Sequence, residues 1–134
     1  MDYLIASSKI ANSGLTAQSA RMQVISENIA NSRSTGNYKG ADPYRRKTIS
    51  FTEVMQDAGG VKISKIGVDR SSFIEEFDPG NPIADSSGLV KYPNVNMLVE
   101  TADMREANRM YMANLQVIKQ ARDMISITLD LLKG

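Results

Sequence analysis

The chain has 134 residues, enough for one domain of ordinary size, and its 42% hydrophobic and 23% charged residues are typical of a folded protein. Sixteen basic residues against fifteen acidic ones give a formal charge of +1, which provides no electrostatic bias towards nucleic acid or anionic lipid. Cysteine and histidine are absent, which excludes thiol nucleophiles, disulfides, thiolate metal sites and the usual general base near neutral pH.

The N-terminal segment, from about Asp2 to Asn31, predicts a first helix. It lacks the basic region and apolar core of a cleavable signal peptide, so any export is expected to use another route. Because Ser13-Gly14 lowers its helix propensity, this helix needs a partner. Two rows at seven-residue intervals mark the face that would meet the partner. They are Leu4, Ala11, Gln18 and Ile25, and beside them Ser8, Leu15, Met22 and Ile29.

The middle of the chain predicts a loop followed by a small β-rich module. Residues 32–42 are rich in Ser, Thr, Gly and Asn, which is typical of a loop. Candidate strands follow, separated by turns that contain Gly, Pro and Asp. They cover residues 44–51, 61–68, 73–77 and 89–92. Pro93 ends the last strand, and either Asn94 or Asn96 is expected to cap the next helix.

The C-terminal third, Val95 to Leu132, predicts one long helix without Pro or Gly. At ~1.5 Å per residue it would be roughly 55 Å long, whereas a compact chain of this size would be only about 36 Å across. Most of its circumference is apolar, so it needs cover on several sides. One row is Met104, Tyr111, Ile118, Ile125 and Leu132; a second is Met110, Val117, Met124 and Leu131, with Leu115 and Leu129 on the other flank.

These elements predict an α+β fold. Long N- and C-terminal helices should pack as an antiparallel coiled-coil-like pair, with a small β-rich module inserted between them. The expected segments are 1–36 for the N-terminal helix and loop, 37–92 for the β-rich module, and 93–134 for the C-terminal helix.

No catalytic, cofactor or metal site is predicted. Glu75, Glu76 and Asp78 form the best carboxylate cluster, yet strand neighbours point to opposite faces, which argues against paired acid–base chemistry. The basic run 45–47 could contact phosphate or an acidic partner, although the expected outcome is an exposed strand edge protected by charge. No glycine pattern matches a phosphate-binding fingerprint.

Several motifs resemble those of bacterial flagellar basal-body rod proteins. The N-terminal helix ends in Glu27-Asn28-Ile29-Ala30-Asn31 and is followed by Thr35-Gly36-Asn37-Tyr38-Lys39, which is similar to the signature that rod and hook proteins share. Within this family the chain is most similar to proximal-rod proteins. Four further segments carry that resemblance: 43–47, 78–85, 88–96 and Met104–Asn114. The residues that carry the family motif are Asn28, Ala30, Asn31, Gly36, Tyr38, Pro93, Asn94, Arg109 and Asn114.

The resemblance implies a structural subunit of the rod, the hollow drive shaft that crosses the periplasm and transmits motor torque. It also implies export by the flagellar type III apparatus without signal cleavage. The implied partners are further copies of the chain, other rod proteins (FlgB, FlgF and FlgG-like), a FliE-like adaptor of the MS ring and the export apparatus. Composition and charge add the expectation of no cofactor, no nucleic acid and no membrane insertion.

The apolar helical rows then predict the residues through which the subunit assembles, because contacts that do not close into a ring generate a filament. They are Leu4, Leu15, Met22, Ile25, Ile29, Met104, Tyr111, Leu115, Ile118, Met124, Ile125, Leu129 and Leu132. A polar stripe of Gln116, Lys119, Gln120, Asp123 and Asp130 is expected to face the lumen. We also expect the helices to be partly unfolded in the free subunit, and Ile118→Asp to abolish assembly.

Two other classes of function remain open from the sequence. A helical adaptor or chaperone of a type III export system would use the C-terminal helix as a groove ligand and form small discrete complexes. A small hydrolase would depend on Glu75, Glu76 or Asp78, and the absence of histidine argues against it.

Overall fold

The computed structural model describes residues 2–56 and 58–134. Two long helices pack together, and a small antiparallel β module lies between them in the chain, which confirms the predicted fold class. In chain order the elements are α1 (Asp2–Ala30), β1 (Lys47–Glu53), β2 (Val61–Val68), β3 (Ile74–Phe77), β4 (Leu89–Tyr92) and α2 (Met97–Lys133).

Among the residues that the structure describes, the strands form a pair of two-stranded sheets, β1 with β2 and β3 with β4. In the second sheet the strands are antiparallel, with Ile74 opposite Tyr92 and Phe77 opposite Leu89. The turn before β4 needs Gly88, whose φ is +79° and where a Cβ would lie 2.8 Å from the Phe77 ring. A side chain at this position would therefore both strain the backbone and collide with β3.

The bounds of β2 and β4 agree with the sequence prediction, whereas β1 begins later than expected, at Lys47. The Arg46 backbone N–H donates to the Asn94 side-chain oxygen at 2.8 Å. The cap of α2 is Asn96, whose Oδ1 accepts from the backbone N–H groups of Leu98 at 3.0 Å and Val99 at 3.4 Å. Asn94, the alternative cap, is instead used to hold β1 and the residues after β2.

The chain forms two compact units, and both helices contribute to each of them. The first unit contains Met1–Met22, Ile49–Lys65 and Met104–Gly134, and the second contains Gln23–Thr48 and Ile66–Asp103. The core of the second unit is small: Ala84, Val90 and Tyr92 are buried, and Ile83 packs against them.

Within the first unit the helices run antiparallel. An added Cβ at Gly14 would lie 2.6 Å from the amide nitrogen of Asn114, and Arg21 donates to Glu106 at 3.3 Å. Buried and half-buried residues of α2 recur every three or four positions, which is the spacing of a coiled-coil seam. The seam residues of α2 in this unit are Met104, Ala107, Tyr111, Asn114, Ile118, Ala121 and Ile125.

Candidate assembly surface

The C-terminal helix keeps many large apolar side chains exposed after it has packed against α1. Leu131 and Leu132 are each 77% exposed, and Ile127 is 60% exposed. Exposed apolar side chains in this number, distributed around the helix, indicate a surface that can associate with other proteins. The exposed apolar residues of α2 in the first unit are Met110, Met112, Leu115, Val117, Met124, Ile127, Leu129, Leu131 and Leu132.

The structure divides the predicted assembly residues into two groups. The buried or half-buried group lies in the helix pair and its surroundings: Leu4, Leu15, Met22, Ile25, Ile29, Met104, Tyr111, Ile118 and Ile125. The exposed group is Leu115, Met124, Leu129 and Leu132. The row that runs beside Ile118 in the seam consists of Ala107, Asn114 and Ala121, so the larger side chains of the Met110 row remain outside it.

An open groove of about 370 Å³ lies in the first unit between the two helices. Its α1 wall presents Ile5 and Lys9 together with small polar residues, and its floor contains half-buried Ile118 and Ile125. An apolar floor with a single cation at the rim can accept an apolar side chain that has a carboxylate nearby. The lining residues are Ile5, Ser8, Lys9, Asn12, Ile118 and Ile125.

All residues of the predicted polar stripe are exposed on α2: Gln116, Lys119, Gln120, Asp123 and Asp130. Ile127 is exposed as well and lies four residues after Asp123, on the same side of the helix. The stripe is therefore interrupted by an apolar residue near the C-terminal end of α2.

The family motif has a structural centre at Asn28, in the second unit. Its Nδ2 donates to the Lys47 carbonyl at 3.0 Å and to the Glu100 carboxylate at 3.4 Å, and its Oδ1 accepts from the Tyr44 hydroxyl at 2.7 Å and from the Lys47 backbone N–H at 2.8 Å. Arg46 donates its Nε–H to Glu100, which is fully buried. We call Asn28, Tyr44, Arg46, Lys47 and Glu100 the Asn28 cluster.

Burial and ion pairing shift several pKa values in and around this cluster. Burial raises the pKa of the Tyr44 hydroxyl. Burial alone would lower the pKa of the Arg46 guanidinium, but its pairing with Glu100, Asp69 and Asp103 raises it overall. The hydrogen bond to Glu27, 2.7 Å long, raises the pKa of the Lys47 ammonium.

The remaining motif residues are divided between structural contacts and exposed positions. Asn31 donates to the Glu27 carbonyl at 2.8 Å and closes the end of α1. Asn94 Nδ2 donates to the Asp69 carbonyl at 3.0 Å, and Pro93 is fully buried. A Cβ added to Gly36 would lie 2.5 Å from the Cβ of Ala41, so this position has no room for a side chain. Ala30, Tyr38 and Arg109 are exposed.

The prediction that the basic run 45–47 is an exposed strand edge is wrong, because Arg46 and Lys47 contact the acidic side chains of Glu100 and Glu27. Arg45 stacks over the Phe73 ring at 4.1 Å and donates to the carbonyls of Asp69 and Ser71. Arg46 and Lys47 belong to the Asn28 cluster. These side chains hold the β module to both helices within the second unit, which sequence reasoning missed because the partners Glu27, Asp69 and Glu100 are distant in the chain.

The acidic residues around β3 do not converge on a site. Glu76 forms an exposed ion pair with Arg33 at 2.9 Å, and Glu75 is exposed on the same strand. Over residues 2–56 and 58–134 there is no group of three or more acidic, His or Cys side chains with metal-binding geometry. In the same residues, no helix meets the length and hydropathy needed to cross a bilayer.

Comparison with known proteins places these features in a family. The profile of "Flagella basal body rod protein" matches residues 9–39, and that of "Flagellar basal body rod FlgEFG protein C-terminal" matches residues 86–131. The chain is 61% identical to the flagellar basal-body rod protein FlgC of Agrobacterium fabrum, over 100% of this chain and 99% of the relative. Identity to FlgC of Salmonella typhimurium is 38%, over 91% and 92% of the two chains. FlgC of Borreliella burgdorferi is 36% identical, over 98% and 99%.

Proposed function

The chain belongs to the FlgC family of flagellar basal-body rod proteins, and from this premise we propose that it joins other subunits through its helices to form the hollow shaft that transmits torque. Membership in the family makes the chain a structural component of the flagellar basal body rather than an enzyme. The observation that supports assembly most directly is the exposed apolar surface of α2, from Met110 to Leu132.

The physical argument starts from the free energy of apolar burial. Each Å² of apolar surface removed from water contributes ~25 cal/mol, so side chains as exposed as Leu131 and Leu132 favour association. Their surface differs from the groove at Ile5, so contacts between copies would be heterologous, and such contacts extend into filaments when they do not close. Close packing of these side chains would resist shear and so transmit torque.

The proposal extends to location and partners. The chain would reach the periplasm through the flagellar type III export apparatus and would contact FlgB, FlgF and FlgG-like rod proteins and a FliE-like adaptor of the MS ring. The alternative, a helical adaptor or chaperone of the export system, would give discrete complexes instead of open-ended assemblies.

We propose further that Gln116, Lys119 and Gln120 face the hydrated lumen of the rod. Their exposure supports this placement. Exposed Asp123 continues this polar stretch, whereas Asp130 lies beyond the exposed Ile127. A density map of the assembled rod in which Gln116 or Lys119 packs against protein would contradict the lumen assignment.

The rod role is tested by complementing a deletion strain with variants of α2. Leu132→Asp should prevent rod assembly and motility, because it places a charge in an interface, whereas the exposed side chain contributes little to the subunit fold. Gln116→Asp on the polar side of the same helix is the matched control and should support motility. Assembly is measured by electron microscopy of isolated basal bodies, and subunit folding by circular dichroism.

We still predict that Ile118→Asp abolishes assembly, and the position of Ile118 in the structure adds a reason. Ile118 is half-buried in the helix seam and also lines the groove, so the substitution should weaken the helix pair as well as abolish assembly. Leu132→Asp is the more discriminating variant since its side chain lies outside the seam. A deletion strain that keeps complete rods, or a Leu132→Asp strain that swims normally, would contradict the proposed function.

A further inference from the structure

We propose that the groove lined by Ile5, Ser8, Lys9, Asn12, Ile118 and Ile125 receives the C-terminal end of α2 from a second copy of this chain. The inserted surface, which we call the C-terminal face, consists of Met124, Ile127, Asp130 and Leu131. This inference rests on the proposed function, because it names one contact through which copies would join.

The C-terminal face has the geometry of a helix side that enters a groove. Met124, Ile127 and Leu131 follow one another at intervals of three and four residues, so their side chains lie on one side of the helix. Their exposed fractions are 54%, 60% and 77%. Asp130 lies three residues after Ile127 and therefore borders the same apolar side.

The groove complements this face in polarity and charge. Its floor is apolar, and half of the Ile5 side chain in its wall remains exposed. Lys9 lies at the rim, and in the part of the chain that the structure describes neither Lys9 nor Asp130 forms an ion pair. An incoming helix end would bring the Asp130 carboxylate and the negative end of the helix dipole towards the Lys9 ammonium.

The occupant has to come from another copy. Ile118 and Ile125 form the floor of the groove, whereas Ile127 lies roughly on the opposite side of the same helix at 3.6 residues per turn. A single α2 therefore cannot place its C-terminal face in the groove that it helps to form. Because donor and acceptor surfaces differ, each added copy would leave one of each surface free, and the assembly would be open-ended.

Cysteine cross-linking tests the contact directly, since the chain has no cysteine of its own. Asn12→Cys and Leu131→Cys are introduced together, and basal bodies from motile cells are oxidised and separated without reductant. We expect dimers and higher multimers of this chain held by disulfides between the two positions. Lys65→Cys with Leu131→Cys is the matched control, because Lys65 is exposed in the first unit outside the groove, and it should remain monomeric.

Charge reversal provides a second test that leaves the apolar contacts intact. Lys9→Glu or Asp130→Lys should each weaken self-association of the purified full chain about tenfold, because like charges then meet at the rim. An equimolar mixture of these variants should restore association. Glu at position 9 of one variant then meets Lys at position 130 of the other, and Lys9 of the second variant meets Asp130 of the first. Lys65→Glu, which changes charge away from the groove, should behave as the unmodified chain in sedimentation experiments.

The outcomes separate this inference from the proposed function. The contact with a second copy is wrong if, in motile cells, no disulfide forms between Cys at position 12 of one copy and Cys at position 131 of another. It is also wrong if the cysteines cross-link only to a different rod protein. In both cases the rod role is unaffected. Charge-reversed variants that associate as tightly as the unmodified chain would overturn the contact equally. If deleting the chain leaves rods and motility intact, it is the proposed function that fails.

Discussion

Glu100 carries a carboxylate that is completely shielded from solvent, and its two partners come from distant parts of the chain. Arg46 and Asn28 both donate to it. A buried charge is tolerated when its hydrogen bonds are complete, and the loss of a single partner leaves an unpaired group. The Asn28 cluster thus gives a physical reason for the asparagine in the motif at the end of α1.

We predict that Glu100→Gln destabilises the chain by roughly 1–3 kcal/mol, because it removes the buried counter-charge of Arg46 while Asp69 and Asp103 still pair with the guanidinium. The measurement is the free energy of unfolding from urea denaturation. Glu106→Gln is the control, since the Arg21–Glu106 pair is more exposed and such pairs contribute only ~0–1 kcal/mol. Similar effects of the two substitutions would show that the Asn28 cluster is not a stabilising centre.

The same cluster predicts a loss of stability at alkaline pH. The pKa values of Tyr44 and Lys47 are raised in the folded state, so their contribution is complete below their unfolded values of 10.0 and 10.5 and is lost as the pH rises through the folded values. For Tyr44 the reason is direct, because a phenolate cannot donate to Asn28. Urea midpoints measured from pH 8 upwards should fall above about pH 10. Tyr44→Phe should remove part of this pH dependence, and an unchanged profile would contradict the assignment.

At the scale of elements, the helix pair is held by a seam of small and polar side chains. Gly14 allows the Asn114 side chain to approach α1 closely, and Ala107 and Ala121 are buried in the same seam. Gln18 is also buried. Its side-chain oxygen, Oε1, has no hydrogen-bond partner among the residues that the structure describes. Such a seam fixes which residues face each other, yet it buries little apolar surface per turn.

We predict opposite effects of Gly14→Ala in two backgrounds. In the unmodified chain the new Cβ would meet Asn114 at 2.6 Å, so the substitution should destabilise the helix pair. With Asn114→Ala already present the collision is gone, and the higher helix propensity of alanine should stabilise the chain by up to about 1 kcal/mol. A double-mutant cycle of unfolding free energies measures this coupling, and additive effects would contradict the close contact.

For the whole molecule, the two compact units differ in how well their residues are buried. The largest fully buried side chains, Glu100, Val90, Asn28 and Pro93, lie in the second unit. The α2 segment of the first unit keeps most of its large apolar residues exposed. Regions with little burial open at low free energy, whereas well-buried regions open only with the whole domain.

We therefore predict that hydrogen exchange in the dilute free subunit is fast in α2 after Ile118 and in the first turns of α1, and slow around Val90 and Glu100. Assembly into rods should slow exchange in the terminal segments by burying them. The comparison requires free protein and isolated basal bodies under the same pH and temperature. Strong protection of both termini in the free subunit would refute partial unfolding before assembly.

Local sequence pattern was sufficient to predict the two helices, the β-rich segment between them and the antiparallel pairing. Periodicity and turn residues act over a few neighbouring positions, so they can be recognised without knowing the fold. For the same reason the motif at Asn28 and Asn31 indicated the family, although its structural purpose was not visible. The Leu4 row is buried or half-buried along its length, and the Met104 row is half-buried as far as Ile125, whereas its last member, Leu132, is exposed.

Only the tertiary structure decided which apolar residues remain available for other subunits and what the basic run contacts. The seam uses Ala107, Asn114 and Ala121, which leaves Met124, Leu131 and Leu132 exposed, and no helical pattern distinguishes these alternatives on a helix that is apolar nearly all round. Likewise, Arg46 meets Glu100 across 54 residues of sequence. Such pairings depend on how distant segments come together, and a single sequence contains no local signal for them.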